Sequence, residues 1–290
     1  METPIFPHPG IASSFLAACR RLFPAFLLGT ALSCSIWEER GSCPCLLRFD
    51  LTKDCGLSSG AALALSLYDE AGSVVLDEKG LILSDLLAAN SPDVEVPKGD
   101  IRAGGTIGLR TAERSLDGDY IRIPAGLPAD SLYFLSGRAD ASGEKAVIPV
   151  RLRKDFSCIE ITFALTEGPG VPPECPYFLY IRSYTAGLDL RDGTPLPGRF
   201  HCYPEECGTG VFRSVLPRQR TPEDLVLEVR SKEGAHDLID EIPLNSYLPS
   251  GFSWQDEDLK DIRVRIDYVH ARLEVCISDW ESGEVYHYTI

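Results

Sequence analysis

Apolar and polar residues exchange places at every second position over much of this chain. That period of two is what a strand half-buried against a core requires. Leu47, Phe49 and Leu51 alternate with Arg48 and Asp50. Leu63, Leu65 and Leu67 follow the same rule, as do Ile148, Val150 and Leu152, and then Ile159, Ile161, Phe163 and Leu165. Towards the C-terminus Ile262, Val264, Ile266 and Tyr268 alternate with Arg263, Arg265 and Asp267. Parity then changes: Leu273, Val275 and Ile277 resume on odd positions, which predicts a bulge or tight turn at Val269–Arg272. Shorter strands are expected at Val74–Leu76, Tyr120–Ile123, Leu132–Leu135, Tyr177–Ile181, Gly198–Tyr203, Val211–Leu216, Leu225–Val229 and Val285–Thr289. The stretch Ser84–Ala89 is the one helical turn expected in the body. Asn90–Gly105, crowded with Pro, Gly and charge, reads as loop.

Many short strands separated by turn residues indicate β-sandwiches. At 290 residues the chain has room for roughly two domains. The Gly/Pro-rich stretch Glu167–Glu174 is the strongest break, which sets the expected sandwiches at 44–166 and 174–290.

Residues 1–33 have a different character. Arg20 and Arg21 precede Leu22–Ser33, a run of 12 residues without charge. A basic start followed by an apolar run of this length reads as a signal peptide, too short to span a bilayer. Ala31-Leu32-Ser33-Cys34 then resembles a bacterial lipobox, with cleavage after Ser33 and lipid on Cys34. A rival lies at Leu16-Ala17-Ala18-Cys19, but no Lys or Arg precedes it. Loss of 1–33 removes Arg20, Arg21 and Glu2 and leaves a net charge of −16 in place of −15. Residues 34–43 become a spacer between lipid and body.

A net charge of −15, with no basic cluster, argues against a nucleic-acid partner. No nucleophile elbow, P-loop, dinucleotide fingerprint or zinc-protease motif occurs. Acidic pairs such as Asp256/Asp258 and Glu205/Glu206 could be imagined as glycosidase carboxylates, but so acidic a chain always offers some pair. No catalytic, cofactor or metal site is expected. His201, Cys202 and Cys207 lie close together but lack zinc spacing and a second ligand pair. Beyond Cys19 and Cys34, eight cysteines remain of the 10, and an exported chain permits disulfides. Their 105 possible pairings leave connectivity open. Cys202–Cys207 is the most local candidate, and Cys43 or Cys45 with Cys55 is another.

Three segments together resemble the FimB-type fimbrial anchor family of type V (Bacteroidia-type) fimbriae. They are Cys34–Thr52, the run Tyr180–Pro204 with its Asp192-Gly193 turn, and Trp254–Glu281 with its Asp261–Tyr268 strand and Asp279-Trp280 close. Glu38-Glu39 also resembles the acidic tag that directs lipoproteins to the cell surface in this bacterial group. The resemblance implies an all-β protein of two tandem transthyretin-like β-sandwich domains behind a lipoprotein signal peptide. It implies an outer-membrane, surface-exposed lipoprotein whose partners are fimbrial shaft subunits, with lipidation at Cys34 as its one chemical site. The alternatives are a fimbrial tip adhesin, or a surface lipoprotein that binds glycan or host ligand. Tyr247, Phe252 and Trp254 are the aromatics considered for such a ligand. The segment Glu284–Ile290 either pairs with the shaft outside its own domain or is an edge strand of the second sandwich.

Overall fold

The computed structural model describes residues 43–51, 62–83, 93–110, 116–164, 174–267, 272–278 and 285–289. The chain divides into two compact units, 1–43 and 44–290, and the architecture below belongs to the second. In chain order the strands are β1 Cys45–Leu51, β2 Ala62–Tyr68, β3 Val74–Ile82, β4 Val94–Val96, β5 Asp100–Ile107, β6 Leu116–Asp117, β7 Tyr120–Arg122, β8 Tyr133–Asp140, β9 Lys145–Lys154 and β10 Phe156–Phe163. They continue with β11 Tyr177–Asp189, β12 Pro195–Cys202, β13 Glu205–Gly208, β14 Val211–Pro217, β15 Val226–Ser231, β16 Leu238–Pro243, β17 Asp261–Asp267, β18 Arg272–Ser278 and β19 Val285–Thr289. Short 3-10 turns stand at Pro222–Asp224 and Leu244–Tyr247. Among the described residues the fold is nearly all β, in keeping with the alternation.

Seven strands form the first sheet in the order β3-β2-β5-β8-β9-β1-β4. Its inward side chains, among them Leu47, Leu65, Leu67, Ile101, Leu135, Ile148 and Val150, gather into one core. In β1 the buried Cys45, Leu47 and Phe49 alternate with the exposed Arg48 and Asp50. The remaining strands build two six-stranded sheets, β13-β14-β10-β17-β18-β19 and β16-β15-β11-β7-β6, with β12 also paired to β11. These two sheets face each other across a second core. Ile159, Ile161, Val264 and Ile266 reach into it from one sheet and Leu179, Ile181, Leu227 and Val229 from the other. Ile262, Val264 and Ile266 are buried, and Arg263 and Arg265 between them are exposed, as the period of two predicts. Tyr268, the predicted bulge and the predicted turn Ser84–Ala89 lie outside the described residues.

Three expectations are corrected. Asn90–Gly105 is not a loop, because it holds β4 and most of β5, and β5 lies centrally between β2 and β8. β10 does not join the first sheet. It pairs antiparallel with β14 and parallel with β17, in the second. β7 likewise pairs with β11. The chain therefore visits another sheet at β6–β7, returns for β8 and β9, and leaves the first sheet for good at Asp155, well before the Gly/Pro stretch.

The back of the first sheet is also covered. β2 is buried on both faces, and Ala64 on its outer face packs with Ile121, Leu188 and Leu190 in a third, smaller cluster. β5 comes so close to the end of β11 that a β-carbon on Gly104 would sit 2.1 Å from the Leu190 carbonyl oxygen. Tyr68 donates its hydroxyl to Asp119 across the same seam at 3.1 Å. Its phenol is pushed up to about 12, chiefly by burial.

Candidate functional site

Assembly is the chemistry the sequence points to, so the informative places are the strand nearest the lipid position, the sheet edges and the joint between the two cores. Cys34, Ser33, Cys19 and Glu38-Glu39 lie outside the described residues. The strand that follows them is paired on both sides at Leu46 and Leu47 and on one side beyond. β1 runs parallel to β9, from Leu46 against Lys145 to Leu51 against Val150, and antiparallel to β4 on its other side. At the far end of the chain β19 pairs antiparallel with β18, from Glu274 against Thr289 to Ser278 against Val285. The C-terminal segment is thus an edge strand of its own sheet, with one row of backbone groups turned away from β18. Among the described residues, no helix is long and apolar enough to cross a membrane.

The joint at Asp155 is built from buried charge. Arg218 Nε lies 2.5 Å from Asp155 Oδ1, with side-chain exposures of 5% and 1%. The rest of the guanidinium donates to four carbonyls: Trp254 at 2.6 Å, Asp256 at 2.8 Å, and Lys154 and Glu257 at 3.2 Å each. Burial lowers the Arg218 pKa, and the Asp155 charge opposes that shift. Lys154, also buried, sends its Nζ to Asp261 at 2.7 Å, and its amide donates to Asp258 at 2.7 Å. Asp261 also accepts the Cys158 amide at 2.8 Å, and the Lys260 carbonyl accepts the Ser157 hydroxyl at 2.8 Å. The first residues of β10 are therefore tied at one node to Pro217–Gln219 and the loop 253–261. A charge cluster of this kind holds one geometry, since each buried group needs all its partners.

The remaining sequence candidates are structural. Asp256 accepts the Ser253 amide and Asp258 the Lys154 amide, while Glu206 binds Lys232 and the Gly210 amide. Asp256, Asp258 and Glu206 thus serve a turn and the joint. Trp254 is 3% exposed and stacks edge-on with Phe252 at 5.0 Å, and Tyr247 and Phe252 pack on the second core. These aromatics are not a ligand surface. Cys202 and Cys207 are not bridged. Cys202 is buried against the Ser214 hydroxyl at 3.3 Å, and Cys207 is exposed. Cys43 and Cys45 are also free thiols. Exposed rings do occur elsewhere, on β11 and at the end of β12. Their outward positions were readable from the alternation of Phe178, Tyr180 and Tyr184 with Leu179, Ile181 and Thr185.

No protein-family model matches the sequence, and no curated protein matches it either. The fold does match solved structures. The fimbrial anchor protein of Porphyromonas gingivalis superposes with a TM-score of 0.52 at 14% identity, covering 84% of this chain and 99% of that one. The chain shares the fold of that fimbrial anchor protein. A Bacteroides thetaiotaomicron protein provisionally described as polysaccharide-binding gives a TM-score of 0.59 at 14% identity, over 85% of this chain and 98% of that one. A Bacteroides ovatus protein provisionally described as an adhesin gives 0.53 at 11% identity, over 88% and 97%. These likenesses agree with the resemblance carried by Cys34–Thr52, Tyr180–Pro204 and Trp254–Glu281.

Proposed function

We propose that this chain is a fimbrial accessory subunit of the anchor type. On this reading signal cleavage after Ser33 leaves Cys34 to take the lipid, and the two cores form tandem transthyretin-like sandwiches on the outer surface of the outer membrane. A single acyl chain holds a protein weakly, whereas several on one cysteine hold it firmly. The observation that carries the reading is the placement of β1. A subunit that accepts a neighbour's strand needs an open groove in its sheet. Here the strand after the lipid cysteine already fills the position between β9 and β4. The chain needs one polymerising contact, and the outward edge of β19 supplies it. The fold shared with the anchor protein of P. gingivalis supports the same role.

Fractionation of cells carrying Cys34→Ala and Cys19→Ala tests the anchoring. Cys34→Ala releases the protein and its fimbriae into the medium, and Cys19→Ala leaves both on the outer membrane. The opposite pattern moves the lipid to Cys19. If removal of the whole protein changes neither fimbrial length nor attachment, the anchor role fails, and a tip adhesin or ligand-binding lipoprotein takes its place.

A further inference from the structure

The first sheet and the second core are connected by more than the joint at Asp155. Antiparallel neighbours in a sheet are usually joined by about 2–5 residues. β5 and β8 are such neighbours, yet residues 108–132 separate them. The described part of this connection, 116–132, forms backbone bonds with the other sheets. β7 lies antiparallel to β11, with Ile121 opposite Leu188. The Ile123 amide donates to the Ala186 carbonyl in β11 at 2.9 Å, and the Gly126 amide to the His201 carbonyl in β12 at 3.2 Å. The Ala129 amide then donates to the Val215 carbonyl in β14 at 3.0 Å. β11 and β12 belong to one of the two facing sheets and β14 to the other. The segment therefore spans from one facing sheet to the other before it returns to the first sheet as β8.

Side chains fasten the same segment. Ile121 and Leu132 are buried, and pack in one cluster with Ala64 of β2, Phe134 of β8, Leu188 of β11 and Leu190 just beyond it. The Asp119 carbonyl accepts the Leu190 amide at 2.8 Å. Backbone lies so close to backbone here that a β-carbon on Gly187 would overlap the Ile121 carbonyl. The Asp192-Gly193 turn is fastened to the first sheet as well. Arg153 of β9 donates to the Gly193 carbonyl at 2.9 Å, and a β-carbon on Gly193 would come within 2.7 Å of the Phe134 ring.

We propose that residues 116–132 are a strap that makes the first sheet and the second core one cooperative and mechanical unit. Domains joined by a single linker and a polar interface move against each other by default. Here the chain passes the seam on its way into the strap, on its way back, and again at Asp155. Turning one side against the other breaks the β7–β11 pairing and the bonds to Ala186, His201 and Val215 together, and opens the apolar cluster. Opening the second core alone is costly for the same reason, since it takes the acceptors away from the strap's amides. The two sides therefore unfold as a single unit. The inference holds whichever end of a fimbrium the subunit occupies.

Hydrogen-exchange mass spectrometry of the purified protein in rising urea tests it. Peptides from β2, β5 and β8 report on the first sheet, and peptides from β10, β14 and β17 on the second core. One shared urea midpoint is expected. Val229 is buried in the second core and takes no part in the cluster at the seam, so Val229→Ala should lower that midpoint for both sets together. Gly187→Val pushes the strap off β11. It should split the midpoint in two and make exchange in β14 at least tenfold faster without urea. Val229→Ala carries the test if Gly187→Val fails to fold. Two midpoints in the parent, a Val229→Ala shift confined to the second core, or a Gly187→Val protein that keeps one midpoint would each overturn the strap.

Discussion

Arg218 and Asp155 form an ion pair at the point where the chain leaves one sheet for another, and both side chains are withdrawn from water. Removing Asp155 strands the buried Arg218 charge, and removing Arg218 leaves Asp155 only the more exposed Arg153, 2.9 Å away. Asp155→Ala and Arg218→Met should each cost about 3–5 kcal/mol of unfolding free energy in urea titration. Arg218→Lys should lose nearly as much, since one ammonium cannot reach Asp155 and four carbonyls together. A loss below about 1 kcal/mol for all three would show that the joint is not needed for stability.

Gly104 is a second sensitive point. Its missing β-carbon is what lets β5 approach Leu190. Gly104→Ala should destabilise the protein by about 2 kcal/mol or more, because backbone has to move. Gly143 meets nothing nearer than 3.5 Å, so Gly143→Ala should fall within about 0.5 kcal/mol of the parent. Parallel urea titrations compare the two.

This pair of glycines shows where reading the sequence stops. β1, β9 and β17 were legible because each has one wet face, and the wet face writes polar residues at every second position. β5 is covered on both sides, and Gly104 and Gly105 stand where neighbouring backbone leaves no room for a side chain. Packing has erased the alternation, and what remains looks like a loop. β10 was legible as a strand but not as the partner of β14 and β17, because alternation states which residues face inward and not which strand lies alongside. The Asp155 node was invisible for a similar reason: its partners come from residues 154, 218 and 254–261, and no local pattern links them. The aromatic face was half legible. The outward positions on β11 could be read, but the pairing that brings His201 and Tyr203 beside Tyr180 could not.

The thiols should react in order of their surroundings. Burial pushes Cys202 up to about 11 and also raises Cys175 and Cys45. Cys158 is exposed on the surface, yet its pKa is raised, first by desolvation and then by Asp261. Maleimide at about pH 8 should therefore label the exposed Cys43 and Cys207 before Cys158, and Cys45, Cys175 and Cys202 after unfolding. Mass spectrometry of timed samples reads the order.

Acid should weaken the outer face of the sheet that holds β11 and β15 through Glu228. Burial alone raises its pKa, and hydrogen bonds from Arg230 and Arg182 more than reverse this, leaving it below the ordinary 4.5. A depressed carboxylate contributes its full stabilisation above the unfolded value and loses it as pH falls through the folded one. Glu228→Gln should be about 1–2 kcal/mol less stable than the parent at neutral pH. That gap should close as the pH drops below 4.5. Thermal melts across the acid range measure it, and a gap independent of pH would remove Glu228 as the cause.

Deleting residues 284–290 removes β19 and uncovers β18. The expected product is folded and membrane-bound, melts several degrees lower, and no longer retains fimbriae. Fimbriae that stay attached to cells carrying the deletion would place the shaft contact on another edge.

The parallel run of β1 beside β9 has a mechanical meaning. A pull from the N-terminal side enters β1 at Cys45, and the load leaves β9 at Lys154, where the chain passes through Asp155 into β10. Because the two strands point the same way, those forces act at opposite ends of the ladder and slide one strand along the other. The six register pairs from Leu46–Lys145 to Leu51–Val150 then bear tension together instead of opening one after another. Shear of this kind makes the first sheet a clamp, strongest along the line that a tether under flow would pull.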